Sequence, residues 1–244
     1  MSRLEELVRS SRLFAFNLVN RDAWIARQAR SVRAGSRVLD VGAGSCVYRP
    51  LFSHCEYKTQ DSAALNGNLC RTGGYGEIDY VGDATSIPVP DGAFDTVLCT
   101  EVLEHVPDPV AVIHELARIL KPDGKLILTA PLGSGLHQEP HHYYGGFTPY
   151  WYRKFLAEAG FGEITIEPNA GFFAFYVQES LRFLKLSAPT HLRAPIFAKC
   201  IWTPLWLILL PVLGGFIPLI GHWLDGFEME QKFTVGYHVT ASKG

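Results

Sequence analysis

The ten residues at positions 37–46, RVLDVGAGSC, constrain the fold of this chain more than any other segment. An apolar run that contains one carboxylate, Asp40, is followed at once by Gly42 and Gly44. Because glycine has no Cβ, it adopts positive φ readily and lets a ligand lie directly against backbone N–H groups. The segment therefore predicts a buried β-strand followed by a ligand-binding turn. An ordinary tight turn is the alternative.

Further carboxylates stand at the ends of the strands that are predicted next. Asp61 ends the second strand, about twenty residues after the first, and Asp83 lies at the end of the third. Because parallel strands bring their carboxyl ends to one edge of a sheet, these acids are expected to lie close together. After the first strand, strands are predicted at residues 57–61, 80–84, 94–100 and 125–130, with a helix at 110–120.

Taken together, these segments resemble the class I S-adenosylmethionine-dependent methyltransferases, in particular the methyltransferase type 11 group. The resemblance covers about residues 38–167, in the order and spacing of that family. One position departs from the family pattern, because Cys46 occupies the place of a third glycine and is expected to narrow the methionine end of the pocket. The motifs that carry the resemblance are DVGAG at 40–44, GDA at 82–84, FDTV at 94–97, EVLEH at 101–105 and LKPDG at 120–124.

The resemblance implies an α/β fold with a Rossmann-like, doubly wound sheet. Seven strands are expected, mostly parallel with an antiparallel last strand, together with N-terminal helices and an apolar insertion between strands six and seven. The whole chain, 1–244, is expected to form a single methyltransferase domain. Its predicted parts are a helical lid at 1–34, a cofactor-binding core at 35–168, the apolar insertion at 169–231 and the last strand at 232–244.

The implied cofactor is S-adenosyl-L-methionine, and the family assigns it a set of residues at the sheet edge. Asp61 is expected to accept hydrogen bonds from the ribose hydroxyls, and Asp83 and Ala84 to contact the adenine. A solvated strand-end acid or a helix cap is the alternative for both acids. Asp40, Gly42, Ala43 and Gly44 are expected to line the methionine half of the cofactor, and Thr100 and Glu101 to close the pocket.

Residues 131–149, after strand five, form a long irregular segment that is rich in histidine, tyrosine and glycine. Loops at this edge carry the chemistry of such folds, and histidine transfers protons near neutral pH. His141 or His142 is therefore predicted to act as the general base or to orient the acceptor, with Tyr143 and Tyr144 shaping the acceptor pocket. The alternative is a set of surface polar residues before a helix capped by Thr148.

A second cluster, Glu101, Glu104 and His105, has the spacing of side chains that share one face of a helical turn. Two carboxylates and an imidazole could converge there on a divalent ion. Helix capping and hydrogen bonding are the alternative roles, and no metal is predicted from the sequence.

The insertion contains an uncharged, strongly apolar run at residues 200–220, which is long enough to cross a bilayer. A single crossing is excluded if strands six and seven share one sheet, and Pro204, Pro211 and Pro218 are expected to break a continuous helix. A re-entrant or interfacial hairpin that contacts the membrane peripherally through 172–224 is therefore predicted. A buried cap over the substrate pocket or an apolar homodimer interface is the alternative. The flanking cations are Arg182, Lys185, Arg193 and Lys199.

The composition limits the partners and the compartment. A formal net charge of −2 argues against a nucleic-acid partner. Five cysteines without paired spacing indicate a reducing environment, and the charged N-terminal residues do not resemble a signal peptide. The predicted location is the cytoplasm, peripheral to the inner face of the membrane.

The expected activity is S-adenosylmethionine-dependent methylation, at an oxygen, of a lipophilic or lipid-linked small molecule. Two other functions stay open. One is a catalytically silent membrane adaptor that retains the fold, which Cys46 in the turn makes more plausible. The other is an NAD-dependent oxidoreductase, which the DVGAG turn and the GDA strand end disfavour.

Overall fold

The computed structural model describes residues 11–244, and within them seven strands form one sheet. The strand order is β3-β2-β1-β4-β5-β7-β6. Strands β1 to β5 pair in parallel, and β7 pairs antiparallel with β5, so the predicted fold class is confirmed. The strands are β1 Arg37–Val41, β2 Glu56–Asp61, β3 Tyr80–Val81, β4 Phe94–Thr100, β5 Leu120–Pro131, β6 Phe161–Pro168 and β7 Gly236–Lys243.

Both faces of the central strands are buried, as expected for parallel strands covered on two sides. Successive residues of β1, β4 and β5 alternate between two apolar clusters, because side chains along a strand point to opposite faces. Leu39, Val97 and Leu128 belong to one cluster with Val112 and Leu116. The second cluster joins Val38, Leu98 and Ile127 to Trp24, Ile25 and Ala29.

Three helices belong to the sheet region, and the second and third lie within one or two residues of the predicted helices. They are α1 Arg12–Ser31, α2 Pro109–Ile119 and α3 Pro149–Glu158. Asp108 caps α2 by accepting a hydrogen bond from Ala111 N at 2.9 Å, and Thr148 caps α3 in the same way. The connection from β1 to β2 differs, because it holds a single 3₁₀ turn at Arg49–Phe52 and no α-helix. The glycine turn therefore leads into a short irregular connection.

The insertion is helical. It contains α4 Phe172–Leu186, α5 Ile196–Pro211, a π-helical turn Val212–Phe216 and α6 Ile217–Asp225. The helical path continues past the prolines over Ile196–Asp225, contrary to the expected break of the apolar run, but it changes from an α-helix to a π-helical turn after Pro211. Pro218 lies in the first turn of α6, where a missing N–H costs little, and Pro211 adjoins the π-helical turn, where the backbone bonding pattern already changes.

Two compact units are distinguished by their internal contacts. One contains Ala23–Glu167 and Gly236–Gly244, which form the sheet and its helices. The other contains Pro168–Val235 and the described residues before Ala23. The single-domain organisation and the N-terminal lid stay predictions, and residues 1–10 lie outside the described part of the chain.

Close contacts hold the insertion helices together within their own unit. The Trp206 indole donates to Leu184 O at 3.0 Å, and the Ser180 hydroxyl donates to Leu213 O at 3.1 Å. Gly221 allows α6 to approach α4, since a Cβ there would lie 2.4 Å from Val177 Cγ2. The two helical segments therefore pack as a hairpin.

Candidate functional site

The glycine turn after β1 is hydrogen-bonded to the end of β2. Gly42 and Gly44 have φ of +69° and +50°, which is the left-handed region that glycine adopts at little cost. Gly42 N and Ala43 N donate to Gln60 O at 2.8 and 3.0 Å. Gly44 N donates to Asp61 Oδ2 at 2.9 Å. The structure therefore brings the turn and the predicted ribose-binding carboxylate together.

Asp40 lies beneath this turn and is only 1% exposed. Tyr57 donates its hydroxyl to Asp40 Oδ2, while Asp40 Oδ1 is buried without a hydrogen-bond partner among the described residues. Burial raises the pKa of Asp40 to about 7, against the lowering effect of the Tyr57 hydrogen bond. A buried acceptor with spare capacity is suited to a ligand that brings an N–H donor.

Asp83 has a local structural role at the end of β3. Its Oδ1 accepts hydrogen bonds from both the backbone N and the hydroxyl of Thr85, each at 2.8 Å. This is an Asx-type turn, a local role that Asp side chains commonly have. The neighbouring Ala84 is buried, whereas Asp83 is exposed. The adenine contacts assigned to this pair stay predictions.

Cys46 adopts a left-handed φ of 53° at the place of the third family glycine. Its side chain is buried and faces Gly76, since a Cβ on Gly76 would lie 2.5 Å from Cys46 Sγ. Gly76 N donates to Gly44 O at 2.8 Å, and Ser45 Oγ donates to Gly74 O at 2.7 Å. The added bulk of Cys46 is thus accommodated against the segment that closes over the turn.

The chain turns sharply after β4, where Glu101 has a left-handed φ of 54°. Such a conformation costs free energy for a residue other than glycine and clusters at functional sites. Glu101 N donates to Thr129 O, and the Thr129 hydroxyl donates to Glu101 Oε1, both at 2.9 Å. Thr100 and Glu101 therefore lie at the carboxyl edge, as predicted, bound to strand β5.

The loop at 131–149 is anchored to this turn through backbone hydrogen bonds. Tyr143 N donates to Glu104 O at 2.8 Å, and the Tyr144 hydroxyl donates to Pro107 O at 3.0 Å. His105 Nδ1 is 2.5 Å from His141 O. These bonds bring the histidines of the loop beside His105, which lies 36 residues earlier in the chain.

Three imidazole rings are in mutual contact at this place. The ring centroids of His105, His137 and His142 are 4.6–5.7 Å apart. Burial lowers the pKa of His105, and the neighbouring His137 and His142 lower it further, against the raising effect of the bond to His141. Burial also lowers the pKa of His142, again with a contribution from His137. Both imidazoles are therefore biased toward the neutral form.

The structure places the predicted acceptor-site residues in three different environments. His142 joins the ring cluster, His141 contributes its backbone carbonyl, and the Tyr143 side chain is exposed. Sequence reasoning missed His137 as a member of the cluster. The only signal available was its place in the same histidine-rich loop, because the backbone bonds to Glu104 that position the loop leave no local sequence pattern.

The sequence is similar to known methyltransferases over its central part. Residues 39–128 match the profile of a family described as "Methyltransferase domain". The chain is 39% identical, over 108 residues, to the ubiquinone biosynthesis O-methyltransferase of Xanthomonas oryzae pv. oryzae. The match covers 41% of this chain and 45% of that protein, so the chain spans about half the length of this relative.

Solved structures share the fold over most of the chain. A SAM-dependent methyltransferase from Archaeoglobus fulgidus superposes with a TM-score of 0.54 at 18% identity and covers 98% of both chains. The cyclase SpnF superposes with a TM-score of 0.55 at 17% identity, covering 93% of this chain and 81% of that one. At these identities the likeness shows the fold alone, and one fold carries many reactions.

The profile match and the 39% identical relative show that the central part of the chain is similar to a methyltransferase domain. The strand order and the solved structures show that the described chain has the fold of such enzymes.

Proposed function

We propose that this protein transfers a methyl group from S-adenosyl-L-methionine to an oxygen of a lipophilic small molecule. The observation that carries the proposal is the position of Asp61, whose carboxylate is bound to Gly44 N directly at the glycine turn. An acid held there can accept hydrogen bonds from a ribose diol, because each carboxylate oxygen has more than one acceptor site. The buried Asp40 Oδ1 fits a donor on the methionine portion.

The residues around the turn would then divide the cofactor between them. Asp40 with the backbone of Gly42, Ala43 and Gly44 would hold the methionine portion, and Asp61 the ribose. When bound, the cofactor supplies a methyl group already activated on a sulfonium. The protein is left to orient the acceptor and to receive a proton. Asp83 and Ala84 would lie at the adenine, and Thr100 and Glu101 would close the pocket.

His142 is the side chain best placed to receive that proton. Its Nε2 lies 3.1 Å from Ser134 Oγ, and Ser134 Oγ itself donates to Gly145 O. The hydroxyl therefore accepts the Nε2 proton, which leaves the lone pair on His142 Nδ1. Because its pKa is lowered, His142 is neutral near pH 7 and able to act as a base.

The exposed insertion supports a lipophilic acceptor reached at a membrane surface. The helix Ile196–Asp225 has an 18-residue window of mean hydropathy 2.0, of which 11% is buried. A helix of this length extends about 45 Å, more than a bilayer core requires. Six of its large apolar side chains are each at least 62% exposed: Ile196, Phe197, Ile201, Ile208, Leu219 and Trp223.

Charge at the tip of the hairpin favours an interfacial position over a crossing. Lys185, Arg193 and Lys199 lie where α4 connects to α5, and the sequence contains no acid between Glu179 and Asp225. A crossing would carry these cations to the far side of the membrane, against the positive-inside rule. If the hairpin lies along an anionic cytoplasmic surface, its apolar face is buried in the lipid and its cations are attracted to the lipid headgroups. An apolar homodimer interface is the competing arrangement.

Calorimetric titration with S-adenosylhomocysteine tests the proposed activity, with NAD as the comparison ligand. Asp61→Asn keeps an oxygen that can accept from Gly44 N but loses the negative charge, and we expect it to weaken binding about tenfold or more. Glu158→Gln, on the exposed face of α3, is the matched control and should bind as the wild type does. Binding of NAD alone would favour an oxidoreductase, and binding of neither would favour the silent adaptor.

A further inference from the structure

A carboxylate and three imidazoles are gathered beside the turn after β4. Glu104 is 1% exposed, and its Oε1 lies 3.6 Å from His105 Nε2. One ligand atom from each of Glu104, His105 and His137 lies within 4.8 Å of the other two. Proton transfer to His142 makes no use of the side chains of Glu104, His105 and His137. Their proximity therefore requires an explanation of its own.

The two histidines of this trio are held in the tautomer that a metal ligand needs. His105 Nδ1 lies 2.5 Å from His141 O, and His137 Nδ1 lies 2.9 Å from Gly135 O. A carbonyl oxygen only accepts hydrogen bonds, so both Nδ1 atoms carry the proton and both Nε2 atoms carry a lone pair. Metal-binding histidines commonly donate their second N–H to a backbone carbonyl, which fixes the ring and raises its basicity as a ligand.

We propose that Glu104, His105 and His137 bind a divalent transition-metal ion, for which Zn²⁺ is the best match. Two imidazoles and one carboxylate are a recurrent ligand set for zinc with an open position, whereas Mg²⁺ and Ca²⁺ prefer oxygen ligands. Ligand atoms about 2.0–2.1 Å from a tetrahedral ion lie roughly 3.4 Å apart. The Glu104–His105 pair, at 3.6 Å, already has nearly this spacing. His137 lies on the exposed loop, and a small inward shift would bring it within range.

The position of the ion suggests its use, and this step rests on the proposed function. Three protein ligands leave room for an oxygen of the acceptor hydroxyl, and a bound cation lowers the pKa of that hydroxyl. Its proton would pass to His142. The acceptor oxygen would then form the bond to the methyl carbon as the carbon–sulfur bond breaks and S-adenosylhomocysteine leaves. An acceptor with an ionisable hydroxyl, such as a phenol, fits this arrangement.

Metal binding is measured directly, without the acceptor. Zn²⁺ is titrated calorimetrically into protein that has been freed of any affinity tag and stripped with chelator, and Co²⁺ is used in parallel for its visible absorption. We expect one site per chain for either ion and none for Mg²⁺. His137→Ala, on the exposed loop, should weaken Zn²⁺ binding about 100-fold or more, since losing a ligand costs at least as much as losing a supporting hydrogen bond.

Two controls keep the result interpretable. His114→Ala removes an exposed imidazole from α2 and should leave the Zn²⁺ isotherm unchanged. Glu104→Gln should weaken binding as His137→Ala does, and unfolding curves of each variant show whether the protein has kept its fold. Equal Zn²⁺ affinity in the wild type and His137→Ala, or no site in the wild type, overturns the proposal. If S-adenosylhomocysteine still binds in that case, the methyltransferase proposal survives without the metal.

Discussion

The stability of the folded protein depends on pH through Asp40, because this carboxyl group is buried in the sheet. Its pKa of about 7 in the folded protein, caused mainly by burial, lies well above the value near 4 of an exposed aspartate. Between these two values the folded state binds more protons than the unfolded state does. The contribution of Asp40 to stability is therefore greatest below about pH 4, falls as the pH rises toward 7, and is constant above that.

We expect Asp40→Asn to lack the decrease in unfolding free energy that Asp40 causes between about pH 4 and pH 7. Each pH unit in the window costs the wild type up to about 1.4 kcal/mol of unfolding free energy from this one group. Urea unfolding of the wild type and the variant at pH 4.5, 5.5, 6.5 and 7.5 gives the difference between their stabilities. The variant should become more stable relative to the wild type as the pH rises. A constant difference would show that Asp40 ionises in the folded protein as it does in water.

The two glycines of the turn offer a matched pair of substitutions. Both have positive φ, but a Cβ on Gly42 would lie 2.3 Å from Val102 Cγ2, whereas no atom of residues 11–244 lies within 4 Å of one on Gly44. Gly44→Ala is expected to cost only the backbone strain, about 1 kcal/mol. Gly42→Ala adds a steric clash of about 1–3 kcal/mol. Thermal unfolding of both variants measures the difference, and equal losses would show that Val102 moves away freely.

Helix α4 begins at a cap that comes from the far end of the insertion. Asp225 Oδ1 accepts hydrogen bonds from Gly171 N at 3.1 Å and Ala174 N at 2.9 Å, and Glu228 Oε2 accepts one from Phe172 N at 2.6 Å. Two carboxylates at a helix N-terminus satisfy its unpaired N–H groups and interact favourably with the helix dipole. The cap also joins the two ends of the hairpin.

Removing the cap should loosen the insertion. We expect Asp225→Ala to cost about 1–2 kcal/mol and to speed amide hydrogen exchange in the first turn of α4. Glu230→Ala serves as the control, because its ion pair with Lys232 is exposed on both sides and contributes little. Unchanged exchange at Ala174 in Asp225→Ala would show that water replaces the carboxylate without loss.

Particular elements show what the sequence could and could not predict. Strand β4 was predicted over its full length, since an apolar run between Gly92 and a polar segment has few alternatives. The continuous helical path over Ile196–Asp225 was not predicted, because local rules treat each proline as a break and do not include the π-helical turn after Pro211. The approach of His137 to His105 depends on backbone bonds between distant segments, for which no periodic pattern exists.

For the molecule as a whole, the strongest expectation is adsorption to an anionic lipid surface through the insertion. The exposed apolar face and the cations at the hairpin tip contribute separately, and each cation near such a surface contributes about 1 kcal/mol. Replacing Lys185, Arg193 and Lys199 together by Gln should therefore weaken binding to phosphatidylserine-containing vesicles about 100-fold. Arg153→Gln with Lys154→Gln, on the exposed face of α3, should have much less effect.

Vesicle flotation measures this binding, and quenching by brominated lipids reports its depth, since Trp223 is 65% exposed on the apolar helix. Raising the salt concentration should weaken the wild-type interaction and leave the residual binding of the triple variant nearly unchanged, because salt screens charges and not apolar contacts. If the wild type stays in the soluble fraction with anionic vesicles and sediments as a dimer, the apolar helix is covered by a second copy of the chain. The acceptor would then have to reach the site from solution.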